Sequence, residues 1–244
     1  MNIYLFTVPL LKACYTLMGS PEKDQINADG LGSTAESKAI LEQWSLFLKY
    51  YTAIFLNDLE YAQTTLFPQI RKLNMRDINA TIQSSYVFMD GLLAASFAGR
   101  SRFSRWRAER QLRRLQAGAL LCSQNNLHRL YLVQAELLAS AKRFDDALIK
   151  FEKAICHADQ FPNEQGLAFE KTGRMFLSQG KYTLASQYFD DAIRHYEKWG
   201  AAIKTNKLRT EQENFGEMLA KEALEMKLCQ PRELCFVQSS SLRR

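Results

Sequence analysis

The residues with the clearest capacity for chemistry are seven arginines between positions 100 and 114. Glu109 is the one acid among them, so the segment has a charge excess of +6, equal to the formal net charge of the whole chain. Clustered guanidinium groups attract polyanions, which predicts a binding surface for nucleic acid or an anionic membrane. A solvated helix start, or pairing with acids of a neighbouring repeat, is the alternative. The arginines are Arg100, Arg102, Arg105, Arg107, Arg110, Arg113 and Arg114, with Phe103 and Trp106 between them.

The three histidines do not occur in a metal-binding or catalytic pattern. His157 and His195 occupy equivalent positions of a sequence repeat, and His128 lies near the start of an expected helix. The sequence has no H-E-x-x-H motif, and its five cysteines include no C-x-x-C pair. We therefore expect no metal site, no catalytic histidine and reduced cysteines, with Cys122 and Cys156 buried.

Nucleotide-binding motifs are also missing from the sequence, which contains neither G-x-x-x-x-G-K-[ST] nor G-x-G-x-x-G. The acids Asp145 and Asp146 fit the positively polarised start of a helix, and Asp190 and Asp191 fit a solvated helix face with ion pairs. We therefore expect a protein that is not an enzyme, with no catalytic residue, no cofactor and no small-molecule substrate.

Composition and apolar spacing predict that helices position these groups. Only eleven glycines and five prolines occur in 244 residues, and good helix formers dominate. Apolar residues recur at three- and four-residue steps over 34–73, 77–99, 104–122 and 126–199, with a turn expected at Asn57-Asp58. An apolar helix is expected over 1–18, a flexible loop over 19–34, and a C-terminal helix with a disordered tail over 210–244. Because 1–18 has no positive start and is short for a membrane span, we expect a cytoplasmic protein.

Two segments repeat each other at an offset of 38 residues, from Ala147 to Ile155 and from Ala185 to Ile193. Both contain A-x3-F-x2-A, the second-helix pattern of a tetratricopeptide (TPR) unit, in which small residues let a neighbouring helix approach. The pattern predicts an all-α, TPR-like α-solenoid of stacked antiparallel helix pairs over 35–209. Its expected repeat positions are Ala135, Ala147, Phe151, Ala154, Gly173, Gly180, Ala185, Phe189, Ala192 and Trp199.

Several short stretches between residues 86 and 209 carry a family resemblance. They are Asp90-Gly91-Leu92, Asn126-Leu127-His128 leading to Ala135-Glu136, Phe161 with Glu164-Gln165, and Tyr196-Glu197-Lys198-Trp199-Gly200-Ala201 with Lys204. They resemble the helical repeat region of large hybrid signalling kinases, which combine a protein-kinase-like domain, a predicted AAA-type ATPase, often a GAF domain, and a histidine kinase. The resemblance implies a helical segment between such modules, and the motifs of the enzymatic modules themselves are missing from this sequence.

These observations favour a non-catalytic scaffold or linker in a signal-transduction system, with a protein or neighbouring signalling domains as its partner. A stacked repeat array leaves a concave surface, and such surfaces bind peptides or adjacent domains. Two alternatives stay open at this point. One is a free-standing TPR adaptor with a soluble partner, and the other is a nucleic-acid or anionic-membrane binder that uses the arginines of 100–114.

Overall fold

The structure is a computed structural model that describes residues 35–73, 80–216 and 220. Side chains are described for residues 42–73, 83–216 and 220. The helix expected over 1–18, the loop expected over 19–34 and most of the C-terminal helix and tail expected over 210–244 lie outside these residues.

Every regular element within the described residues is helical, which confirms the all-α prediction. None of these helices is both long and apolar enough to cross a membrane. The first part contains α1 (Ala35–Phe55), α2 (Leu59–Tyr61), a π-helical turn (Ala62–Leu66) and α3 (Phe67–Ile70). The second part contains α4 (Ala80–Ser96), α5 (Arg102–Leu121), α6 (Ser123–Ser140), α7 (Phe144–His157), α8 (Pro162–Ser178), α9 (Tyr182–Trp199) and α10 (Ala202–Asn214).

A turn directly after α1 separates it from the short helices, as the Asn57-Asp58 pair predicts. Asn57 has a φ of 60°, a left-handed conformation that asparagine adopts more readily than most residues. Pro68 lies in the first turn of α3. Proline has no N–H to continue the regular hydrogen bonding of an α-helix, and α3 follows directly on the π-helical turn, where the α-helical pattern is already interrupted.

The helix pairs α6–α7 and α8–α9 share one local geometry at the offset of 38 residues. The turn residues Lys142 and Gly180 both have a positive φ, of 61° and 71°. The residues that follow them, Arg143 and Lys181, have φ of −88° in both cases and ψ of 69° and 71°. Their N–H groups each donate to the carbonyl five residues earlier, at 3.0 and 3.1 Å. The two sequence repeats therefore fold into two copies of one helix–turn–helix unit.

Small residues lie where the helices of these units touch. A Cβ added to Gly173 would come within 2.6 Å of Phe189 Cδ1. Atoms do not pack that closely, so α8 approaches α9 here because residue 173 has no side chain. The buried members of the predicted repeat positions are Ala135, Ala147, Phe151, Ala154, Gly173, Ala185, Phe189 and Ala192.

Two of the predicted repeat positions have different roles. Gly180 is exposed, and its contribution is the positive φ of the turn before α9. Trp199 ends α9 and is partly exposed, with its ring centroid 5.1 Å from that of Phe55 at the end of α1.

The helices α4 to α10 form an array, and α1 contacts both the first and the last helices of that array. Within the array, α4 packs against α5 and α6, α6 packs against α7 and α8, and α8 packs against α9, which contacts α10. α1 packs against α4. At the other end of the array, the Phe55 ring of α1 lies 5.4 Å from the Tyr196 ring of α9, and Lys207 Nζ of α10 donates to Leu56 O at 2.8 Å.

α10 crosses the boundary at which the repeat region was expected to end. It runs without interruption from Ala202 to Asn214, so no turn separates residues 209 and 210. Its residues Lys204, Thr205 and Leu208 are buried. We therefore assign α10 as a whole to the packed array.

Candidate functional site

The predicted arginine cluster forms α5 and the turn before it. Ser101 caps the helix, because its hydroxyl oxygen accepts a hydrogen bond from the Ser104 N–H at 3.2 Å. Arg100 Nη1 lies 3.7 Å from Glu60 Oε1, and both side chains are exposed. Six of the seven arginines reach solvent, and they are Arg100, Arg102, Arg105, Arg110, Arg113 and Arg114.

Arg107 corrects the sequence-based prediction, because it belongs to the core and not to the exposed cluster. Its side chain is only 4% exposed, and its guanidinium carbon lies 3.8 Å from the centroid of the Phe67 ring. Nη2 donates to Gln63 Oε1 at 2.8 Å, and Nε lies 3.5 Å from Asp90 Oδ1. Arg107 therefore ties α5 to the π-helical turn, to α3 and to α4, and it is unable to contact an external anion.

Two aromatic side chains lie among the exposed arginines. Phe103 and Trp106 are each about half exposed, at 46% and 50%. Their ring centroids are 6.0 Å apart in a stacked arrangement, and the Arg110 guanidinium lies 5.7 Å from the Trp106 ring. The exposed side of α5 thus combines aromatic surface with excess positive charge.

A second group of polar residues is buried, and it centres on three carboxylates. The first is Asp90 in α4, which is 1% exposed. It accepts hydrogen bonds from Tyr50 Oη at 2.9 Å and from Gln111 Nε2 at 2.7 Å. Burial and the neighbouring Asp90 charge raise the pKa of Tyr50, so the phenol stays protonated as a donor. Asp90 therefore fixes α1 and α5 to α4.

The second buried carboxylate is Glu164, in the first turn of α8. Arg129 donates to it through Nε at 2.8 Å and Nη2 at 2.6 Å, and His128 Nε2 lies 2.6 Å from Oε2. Burial alone would raise the pKa of Glu164, but the hydrogen bonds from His128 and Arg129 lower it. The His128 ring also stacks on Phe161, with centroids 4.7 Å apart. His128 therefore links α6 to α8.

The third buried carboxylate is Glu170, in the middle of α8. It is paired with Lys204 Nζ at 2.7 Å and with Arg174 Nη2 at 2.8 Å, and it accepts from Tyr196 Oη at 2.7 Å. Burial would raise the pKa of Glu170, but Lys204 and Arg174 lower it from 4.5 to about 2. Lys204 also donates to Phe55 O. Through these contacts Glu170 joins α8, α9, α10 and the end of α1.

Five residues of the stretches that carry the family resemblance make buried polar contacts between helices. Asp90, His128, Glu164, Tyr196 and Lys204 all occur in those stretches, and each contacts another helix. His128 bonds to Glu164, Asp90 accepts from Tyr50 and Gln111, and both Tyr196 and Lys204 donate to Glu170. Such contacts between helices hold the helices in register. We assign these residues to the packing of the array.

The remaining histidines follow the repeat. The His157 ring lies 5.5 Å from Tyr131, and the His195 ring lies 5.2 Å from Phe169, so the same contact recurs 38 residues later. Partial burial lowers the pKa of His195, as do the nearby Lys198 and Arg194 charges. Within the described residues, no group of three or more His, Cys, Asp or Glu side chains is arranged to hold a metal ion.

The paired acids and the two cysteines within the described residues lie on the surface. Asp145 and Asp146 occur in the first turn of α7, the position predicted for them. Asp191 pairs with Arg194 on α9. Cys122 and Cys156 are exposed, so the prediction that they are buried is wrong. Cys122 is the single residue between the end of α5 and the start of α6.

Comparison with known proteins gives one partial similarity. Over 72 residues, the chain is 35% identical to the peroxide stress-activated histidine kinase mak3 of Schizosaccharomyces pombe. The match covers 30% of this chain and 3% of that kinase, so the chain spans only a small part of its relative's length. No family model matches the chain, and no solved structure matches it either. The chain is thus similar in part to a histidine kinase, in agreement with the kinase-related resemblance of its motifs.

Proposed function

We propose that the chain is a non-catalytic helical-repeat scaffold or linker that mediates protein–protein or interdomain contacts in a signal-transduction system. The observation that carries this proposal is the close recurrence of one helix–turn–helix geometry in α6–α7 and α8–α9. Repeated helix pairs that stack on their neighbours bury a continuous core and leave extended surfaces for binding.

A TPR-like solenoid is the architecture that these contacts support best. The first helix of each pair packs on the first helix of the next, from α4 to α6 and from α6 to α8. Each second helix also contacts the following first helix, as α5 contacts α6 and α7 contacts α8. A Gly or Ala lies at the equivalent seam positions 135 and 173, as the TPR pattern requires.

The way in which the array holds α1 supports a binding role. α1 is a helix distant in sequence, and it is fixed by Tyr50 on Asp90 and by the Phe55 carbonyl on Lys204. The Phe55 ring packs between Tyr196 and Trp199. The array therefore holds α1 through aromatic contacts and buried polar anchors, and we infer that it holds a partner helix through contacts of the same kind.

The signalling context of the proposal is supported by the partial similarity to a histidine kinase. The sequence contains no phosphate-binding loop, and the buried acids of the array are held by cations and donors of the array itself. The partners that we propose are neighbouring signalling domains or a separate protein. A cytoplasmic location is part of the same proposal.

A photoreactive residue placed on the array tests this function in the source cells. Ile149 on α7 is an exposed apolar residue, and Gln187 is the equivalent position on α9. A partner that lies along successive repeats should be crosslinked from both positions, and mass spectrometry should identify it as a kinase, ATPase or other signalling protein. The unirradiated sample is the control. Irradiation that crosslinks no protein from either position would contradict a scaffold role.

A further inference from the structure

The exposed side of α5 has a composition that the packing of the array does not explain. We define the α5 surface by the exposed arginines of this helix and by four exposed apolar side chains. The arginines are Arg102, Arg105, Arg110, Arg113 and Arg114, and the apolar residues are Phe103, Trp106, Leu120 and Leu121. Glu109 is the one acid on this surface. The α5 surface therefore carries a strong excess of positive charge, and its apolar side chains are exposed to solvent.

The apolar residues lie along the length of the helix. Leu121 follows Phe103 by 18 residues, which is about five turns of an α-helix, so both project in the same direction. Leu120 has the same relation to Arg102. Leu120 and Leu121 are 86% and 90% exposed. The surface thus presents aromatic rings at one end and leucines at the other over roughly 30 Å, with arginines along its length.

We propose that the α5 surface binds the surface of an anionic lipid bilayer. A helix that lies in the membrane interface places Trp, Phe and Leu at the boundary of headgroups and acyl chains. Its arginines bind the lipid phosphates and are attracted by the negative potential of the leaflet. Arg102, Arg105 and Arg113 have no ion-pair partner within the described part of the chain, so they are available for such phosphates.

The arrangement of the aromatic rings favours a bilayer over single-stranded nucleic acid. Nucleic-acid binding of this kind uses free aromatic faces on which bases stack. The Trp106 ring is instead flanked along the helix by Phe103, one turn earlier, and by Arg110, one turn later. Nucleic acid would also leave Leu120 and Leu121 in water, whereas a bilayer removes them from it. This membrane proposal is independent of the scaffold function, because it concerns a different surface of the array.

Vesicle flotation of the full chain tests the proposal. The probes are vesicles of phosphatidylcholine alone and vesicles that also contain phosphatidylserine, at low and at high salt. The chain should float with the phosphatidylserine vesicles, and high salt should weaken this binding. Replacing Arg105, Arg110 and Arg113 with Gln should lower the partition coefficient on the order of a hundredfold, from about fivefold per arginine. A matched triple variant, with Gln in place of Lys153, Arg194 and Lys198, should retain binding.

A second variant distinguishes a bilayer from nucleic acid. Leu120→Ser with Leu121→Ser keeps every charge of the α5 surface, so it should weaken vesicle binding and leave electrostatic binding of a single-stranded oligonucleotide unchanged. Far-UV circular dichroism checks that each variant is folded. Equal binding to both kinds of vesicle, or equal losses in the two triple variants, would overturn the proposal. Binding of the oligonucleotide without binding of vesicles would overturn it in favour of nucleic acid.

Discussion

Replacement of Lys204 by Met provides the sharpest test of the buried charge network. Lys204 is 1% exposed and contacts both Glu170 and the carbonyl of Phe55. Met has a similar length and fits the same space, but it leaves Glu170 with one cation fewer and the Phe55 carbonyl without its donor. Removal of one partner from a buried ion pair costs about 3–5 kcal/mol, because the other charge stays buried.

A loss of that size is a large part of the total stability of a typical domain, which is about 5–15 kcal/mol. Urea unfolding followed by far-UV circular dichroism measures it directly. With a slope of about 2 kcal/mol per molar urea, a loss of about 4 kcal/mol moves the midpoint by about 2 M. The variant should also loosen α1, since Lys204 joins α10 to the end of α1.

Lys207→Met is the matched control for this measurement. Lys207 is on the same helix and donates to Leu56 O, the next carbonyl along the chain, but it is exposed. Its replacement should change stability by about 0.5 kcal/mol or less. A Lys204→Met, Glu170→Met double variant should lose less than the sum of the single losses, because the two groups are directly coupled. Equal costs for Lys204→Met and Lys207→Met would refute the reasoning.

Substitutions in α5, α8 and α9, together with an ATPase assay, test other features of the protein. Phe189→Ala should cost about 3–5 kcal/mol by leaving a cavity, whereas Gln187→Ala on the exposed side should cost about 0.5 kcal/mol or less, both in urea unfolding. Arg107→Gln should lower the thermal midpoint because it leaves Asp90 with one partner fewer, and Arg105→Gln should not. The pKa of Glu170 is lowered from the ordinary 4.5 to about 2, which contributes about 3 kcal/mol to the free energy of unfolding. This contribution is present above about pH 4.5 and is lost as the pH falls towards 2. Glu170→Gln should therefore flatten this part of the curve of stability against pH. The purified protein should not hydrolyse ATP, and turnover that a single carboxylate or lysine substitution abolishes would show that the chain is an enzyme.

The fold was most predictable where the sequence pattern is local. The repeat of A-x3-F-x2-A located α7 and α9, and both phenylalanines are fully buried. The turns before them follow from the same match, because Lys142 and Gly180 occupy equivalent positions. Local spacing is sufficient for these features, since a helix buries the residues that recur every three or four positions.

Arg107 shows where charge was a misleading guide. Ser104, Arg107, Ala108, Gln111 and Leu115 recur at helical spacing and are all buried. Because three of these five residues are polar, hydrophobic spacing did not mark this side of the helix as buried. Arg107 lies on this buried side of α5, whereas the other arginines of the helix lie on its exposed side. Its partners in α4 and in the π-helical turn are distant in sequence, and the pattern of α5 alone does not identify them.

The buried pairings were the least predictable part of the structure. Lys204 contacts the carbonyl of Phe55, 149 residues earlier, and no local pattern connects these positions. Lys204 and Tyr196 belong to the stretches that carry the family resemblance, but the resemblance did not indicate that both residues bind Glu170. The position of α1 across the array was not expected for the same reason, because it depends on contacts of very long range.

The central claim is that the chain acts by holding other signalling proteins or domains. The most direct test is the native mass and composition of the complex that contains the tagged chain in extracts of its source cells, measured by native chromatography and mass spectrometry. We expect the chain to migrate well above its own mass, together with kinase, ATPase or histidine-kinase modules. Migration as a lone monomer with no signalling component attached would contradict it.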